Sequence, residues 1–272
     1  MKNKIPLPWS LDRINGRVPT ITTDKTTTNM FAIFKREVRS FFTSPIGYLA
    51  IGIFLILNGL FLWVFKGPFN IFEAGFANLD NFFLLTPWAF LFLIPAITMK
   101  SFSEERKLGT LELLFIKPLS LWQTVIGKFL GTFTLVVLAL IPTLLYVSCV
   151  SQLGTSVGNL DMGVVIGSYF GLMFLTATYV SIGLFCSAIT ENQIVAFILA
   201  IALCFFLYYG MEGISTLFAD GDFSLFVQNW GMKAHFESIA RGVIDTKDLV
   251  YFIALAFLFL YLTVVQLQKL NR

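Results

Sequence analysis

No GxxxxGK[S/T] phosphate loop occurs in the 272 residues; "IGKF" at 126–129 lacks both the upstream glycine and the following Ser or Thr. ATP binding by that route is excluded. There is one histidine, His235, and no HExxH, so neither a Ser–His–Asp set nor a zincin site can be assembled, and an intramembrane hydrolase is not expected. A lone His without a neighbouring His or Cys is also a poor metal ligand, because zinc takes three or four. His235 reads as an exposed polar residue, and no metal or cofactor is expected. The three cysteines, Cys149, Cys186 and Cys204, all fall inside apolar runs. Cys149 and Cys186 sit near opposite ends of their runs, too far apart for a disulfide, and none is predicted. Charge is scarce as well, at 13% of residues against about 25% in soluble domains. The balance of 19 Lys and Arg against 16 Asp and Glu gives no reason to expect a nucleic-acid partner. Within the apolar runs themselves there is little beyond Asn58, while Glu191 sits in a tight connection, so an ion-coupled carrier lacks its titratable path.

What is abundant is oil: 57% of residues are hydrophobic and the mean hydropathy is +0.80. A bilayer core takes roughly 20 apolar residues per helix. Such runs lie at about 47–65, 82–99, 122–150, 162–189, 194–218 and 248–267. The expected fold is an all-α integral membrane protein of six transmembrane helices, embedded in lipid and with little left over for a soluble domain.

The placement of Lys and Arg sets the orientation. Lys35, Arg36 and Arg39 precede the first run; Lys100, Arg106, Lys107, Lys117 and Lys128 lie between or beside the second and third; Lys269 and Arg272 follow the last. The 66–81 and 151–161 connections are poor in cations, and the 210–247 connection offsets its three with five acids. Both termini and residues 100–121 are therefore expected on the cytoplasmic side.

Residues 1–29, with three prolines and the tract "TITTDKTTTN", carry no apolar run of signal-peptide length and read as a disordered tail. The domain proper is expected over 30–272, and Met30 stands as a second candidate start. In "MFAIFKREVRSFFTSP", Phe31, Phe34, Val38 and Phe41 recur at helical spacing, with Lys35, Arg36 and Arg39 on another face. This is the pattern of an interfacial amphipathic helix; the other reading is a plain flank whose cations fix orientation.

The most charged stretch is "SFSEERKLGTLELLFIKPLS", 101–120. Ser101 with Glu104 matches a capping box, so a short helix is predicted to start there. Gly109 then suits the left-handed residue that closes a helix. Thr110 can cap a second turn carrying Leu111, Leu114 and Phe115 on one side and Glu112 on the other, stopped by Pro118. Ser120 with Gln123 repeats the capping-box spacing and opens the third membrane helix. A rigid pair of short helices is predicted, not a loose loop.

Small-residue spacing marks Gly127 and Gly131 on the third span and Gly163, Gly167 and Gly171 on the fourth. Such rows let helix backbones approach closely in lipid, either within one subunit or between two. Pro87, Pro95 and Pro142 are expected to kink spans two and three. The 210–247 region mixes Phe, Trp and Leu with turn residues, which predicts short helices at, or dipping into, the outer interface.

Taken together, the amphipathic helix, six spans, the charged segment after span two and the apolar region before span six resemble the ABC-2 type permease family over residues 30–272. The pattern EER-x-x-G-T-x-E-x-L at Glu104, Glu105, Arg106, Gly109, Thr110, Glu112 and Leu114 is similar to that family's cytoplasmic coupling helix. "TSPIGYLAIGIFLILNGLFLW" and "HFESIARGVIDTKDLVYF" look most like the gliding-motility-associated permease subunit. The resemblance implies a non-catalytic subunit in a bacterial inner membrane, paired with a cytoplasmic ABC ATPase subunit that hydrolyses ATP. For the gliding type it implies a second membrane subunit with an extracytoplasmic domain, in motility or an associated export. It also implies that Ser101, Glu104, Glu105, Arg106, Gly109, Thr110, Glu112 and Phe115 form the ATPase-coupling segment. A solvated loop serving topology is the plainer reading of these charges. Two other functions stand beside the permease: a non-transporting scaffold or energy transducer of a motility complex, and a stand-alone secondary carrier.

Overall fold

The protein is described here by a computed structural model covering residues 23–73, 75–76, 78–111, 120–154, 160–218, 221–242 and 245–270. Every described element is helical, and six segments are long and apolar enough to cross a membrane: Gly47–Val64, Asp80–Lys107, Leu121–Leu153, Met162–Ile189, Gln193–Ser215 and Thr246–Leu270. The reason is elementary. Lipid offers no hydrogen-bond partner to a backbone, so each apolar run closes its own N–H and C=O groups in a helix.

In chain order, α1 is Thr23–Thr43 and α2 is Pro45–Gly59, ending in a π turn at Leu60–Val64. α3 is Asp80–Thr98 and α4 is Ser103–Lys107. α5, Leu121–Leu140, passes through a 3-10 turn at Ile141–Thr143 into α6, Leu144–Leu153. α7 is Met162–Ile189; α8, Gln193–Phe205, continues through a π turn at Phe206–Gly210 into α9, Met211–Ser215. α10 is Gly221–Gln228, α11 is Met232–Ala240 and α12 is Thr246–Leu270. Helix α1 begins at Thr23, earlier than the expected Met30, and the remainder of the predicted tail lies outside the described residues.

Local signals account for many boundaries. Ser120 and Gln123 form the predicted capping box at the start of α5, with reciprocal bonds of 3.2 and 3.1 Å. Asp161 and Asn192 cap α7 and α8 through their side-chain oxygens. Asp245 Oδ1 accepts the Lys247 N–H at 3.1 Å ahead of α12, and that bond holds its carboxyl below the usual carboxylate range. Pro87 and Pro95 lie inside α3, where the Thr86 and Thr98 hydroxyls donate to the carbonyls of Phe82 and Ile94. Pro142 sits in the 3-10 turn that joins α5 to α6.

Helix α7 is the axis of the bundle. It packs against α3, α8, α11 and α12, and most of its length is buried. At Gly183 a Cβ would lie 2.8 Å from the Thr98 Cβ, so this glycine sets how closely α3 and α7 cross. Helix α1 lies along α5. Ile33 is buried on the edge that meets α5, while in the predicted apolar row Phe31 is exposed and Val38 and Phe41 pack partly against the core. Gly127 and Gly131 of α5 meet this edge: a Cβ on Gly127 would be 3.0 Å from Ile33 Cβ, and one on Gly131 would be 2.8 Å from Glu37 Cβ. That glycine pair therefore seats α1 rather than another membrane span.

The region before α12 folds inward. Helix α11 packs on α7, where a Cβ on Gly167 would meet the Ile239 carbonyl oxygen at 2.9 Å and one on Gly171 would meet Ile239 and Phe236 at 3.3 Å. Gly163 has no such neighbour except its own cap Asp161, but its backbone lies against Gly242, whose φ of +82° only glycine adopts readily. His235 is not an exposed polar residue. Its Nε2 donates to the Asn229 carbonyl (2.8 Å), its Nδ1 lies 2.6 Å from Oδ1 of the buried Asp248, and its ring stacks on Tyr251. The sequence reading missed this because Asp248 enters the contact only once α11 has turned back onto α12.

Candidate functional site

The 101–111 segment lies where the end of α3, the start of α5 and the end of α7 converge. Its construction differs from the predicted capping box. Helix α4 begins at Ser103, Phe102 occupies the N-cap position, and no side chain caps the helix. The cause is tertiary. Phe102 is fully buried and its N–H donates to Ser187 Oγ of α7 (3.0 Å), so the chain enters the helix anchored by an aromatic ring instead of by Ser101. Ser103 Oγ bonds back to the Met99 carbonyl. The closing signal, by contrast, is formed as expected. Gly109 has φ +66°, its N–H donates to the Arg106 carbonyl (3.1 Å), and the Thr110 N–H donates to the Glu105 carbonyl (2.9 Å). These two bonds make a Schellman turn.

Two straps hold α4. On one side Glu105 Oε1 takes Arg36 Nη2 at 2.7 Å and Lys128 Nζ at 3.1 Å, and Lys128 Nζ also reaches Glu37 Oε1 at 2.9 Å. Lys128 was counted among the orienting flank cations; it is instead buried, 1% exposed, and additionally donates to the Ser101 carbonyl. An ammonium has three donors, and all three are used. Burying a cation this deeply is tolerated because two carboxylates face it. Glu105 Oε2 is buried with no partner among the described residues. On the other side Arg106 Nη1 donates to the Ala188 carbonyl (2.9 Å), one of the last in α7, and Nη2 to Glu191 Oε1 (3.1 Å). A guanidinium at a helix C-terminus satisfies an orphan carbonyl and the helix dipole together.

Of the predicted coupling residues, the structure thus brings Ser101, Glu105 and Arg106 into contacts within the chain and leaves Glu104 at the margin. Leu111, expected on the apolar side of the second turn, is buried. Gly109 and Thr110 face outward, together with Lys107 and Leu108, which is 67% exposed. Glu112 and Phe115 lie outside the described residues. Sequence reasoning overlooked Arg36, Glu37, Lys128, Ser187 and Glu191 as parts of this site. One signal was available: Lys128 falls inside an apolar run, and a cation there requires a partner. The identity of that partner, 91 residues away, was not readable from the chain. No group of three or more His, Cys, Asp or Glu suited to a metal ion occurs among the described residues.

Six apolar helices around a strapped polar turn, in a chain without a nucleotide loop, define a multi-pass membrane subunit. The chain belongs to the ABC-2 transporter family: the model described as "ABC-2 family transporter protein" matches residues 24–269. The family is one of membrane permease subunits of ABC transporters, typically non-catalytic, set in lipid and working with an ATPase on a partner. No curated protein matches the chain.

Proposed function

We propose that the protein is the permease subunit of an ATP-driven exporter in a bacterial inner membrane, and that its ATPase partner docks on the outward tip Lys107–Thr110. The observation that carries this reading is the double strap on α4. A push on the tip is delivered at once to α1 and α5 through Glu105 and to α7 through Arg106. Glu105 and Arg106 are in this view struts inside the subunit, and Leu108 is the apolar anchor offered to the partner. The resemblance noted in the sequence extends the proposal to gliding motility or an associated export, with a second membrane subunit that bears an extracytoplasmic domain. Both termini and residues 100–121 are cytoplasmic in this arrangement.

Leu108→Arg is expected to cut copurification of the co-expressed ATPase by about tenfold or more, since an apolar anchor becomes an unpaired charge at the contact centre. The thermal midpoint of the isolated subunit should be unchanged, because Leu108 packs on little of the chain. Parental ATPase capture by this variant would remove the tip from the interface. Orientation is checked separately: single cysteines at positions 107 and 190 should react with an impermeant maleimide only in opened membranes, and one at position 75 in intact cells. Labelling of 107 from outside would invert the assignment.

A further inference from the structure

A cavity of about 480 Å³ opens between α1, the start of α2, the end of α3 and α5. Its size falls in the range of small-molecule sites, about 300–1,000 Å³. One wall is apolar, with Phe41, Ala96, Ile97 and Leu135; the other is charged, with Arg36, Lys100 and Glu104 besides the strapped cluster. Lys128 also lines it, but its three donors are spent within the chain. Lys100 and Glu104 are different. Neither makes a side-chain hydrogen bond or ion pair among the described residues, and Arg36 uses Nη2 alone. The cavity therefore presents a free ammonium, the unused edge of a guanidinium and a free carboxylate beside an apolar wall. Because α2 starts and α3 ends at this level, the cavity lies where the hydrocarbon region gives way to headgroups.

We infer that this cavity holds the headgroup and upper acyl chain of an aminophospholipid. A phosphodiester fits Lys100 and Arg36, a primary ammonium fits Glu104, and the acyl chain fits the Phe41–Leu135 wall. An anionic lipid without an amine would leave Glu104 with no cation to offset the charge of the phosphodiester beside it. A choline headgroup has no N–H to donate to it. Leu108 of the docking tip also borders the cavity, while the contacts to the phosphodiester, the ammonium and the acyl chain fall on other residues.

The test is native mass spectrometry of the full chain, delipidated in detergent and titrated with dioleoyl phosphatidylethanolamine, phosphatidylglycerol or phosphatidylcholine. Phosphatidylethanolamine should be retained about threefold to tenfold better than the other two, the range expected for one or two half-exposed charged contacts. Lys100→Gln should lower retention of all three lipids. Glu104→Gln should abolish the preference by raising phosphatidylglycerol toward phosphatidylethanolamine. Neither residue makes an internal contact that folding needs, and Ala96→Phe, which fills the apolar wall without changing charge, should expel every lipid. Equal retention of the three lipids by the parent, or a preference that survives Glu104→Gln or Ala96→Phe, would overturn the assignment. Displacement of the lipid by an equal concentration of soluble phosphoethanolamine would overturn it in favour of a soluble ligand.

Discussion

Lys128→Met is expected to destabilise the chain by about 1–3 kcal/mol, because it removes the buried cation shared by Glu37 and Glu105 and leaves the half-exposed Arg36 to face both carboxylates. Methionine fills nearly the same volume, so the loss is electrostatic, not a cavity effect. The measurement is the thermal midpoint and the monodisperse yield of the purified full chain. Neutralising one partner as well, in Glu105→Gln, Lys128→Met, should restore much of the stability, since Arg36 and Glu37 then balance each other. If Lys128→Met alone melts with the parent, the cluster contributes nothing net and the strap on α4 is not held by it. The same single variant should also loosen α1 from α5, visible as faster hydrogen exchange in both helices, because Glu37 is the residue of α1 that reaches Lys128.

The second large effect is expected at Gly167→Leu. A Cβ alone would sit 2.9 Å from the Ile239 carbonyl oxygen and 3.0 Å from Gly242 Cα, and both are backbone atoms that move only if α11 moves. Overpacking of this kind costs about 1–3 kcal/mol. It should also break the bond from Ser168 Oγ to the Ala240 carbonyl (3.1 Å) and lift the 232–242 segment off α7. Protease cleavage near Arg241 should rise together with a fall in melting temperature. Gly59→Leu is the matched control, for nothing lies within 4 Å of a Cβ there, and it should change little. Equal behaviour of the two variants would show that the glycine row of α7 does not set the seat of α11.

Much of this architecture is legible from short-range chemistry. The six spans follow from apolar runs of bilayer length, and the capping box at Ser120 and the left-handed closure at Gly109 follow from residues within four positions of each other. The Ser101 capping box failed where the same kind of argument held at Ser120. At Ser120 the surroundings leave the cap in place; at Ser101 the burial of Phe102 and its bond to Ser187 move the N-cap one residue on, to Phe102. A local preference worth about 1 kcal/mol yields to an aromatic anchor worth about 1.5–3 kcal/mol when fully buried.

The glycine rows show the same division. Spacing alone is silent about what approaches such a row. Gly127 and Gly131 receive the N-terminal helix and Gly167 and Gly171 the inward-folded α11, neither of which is another full span.

By itself, then, the sequence determined the membrane class, the number of spans, the helix ends set by local caps and the family resemblance. The tertiary structure decided which charges are spent within the chain and which remain free. Glu37 meets Lys128 across 91 residues and Arg106 meets Glu191 across 85, so their pairing depends on how helices cross. Periodicity and capping act over one or two turns of chain, whereas the choice of partner for a buried charge is made by packing.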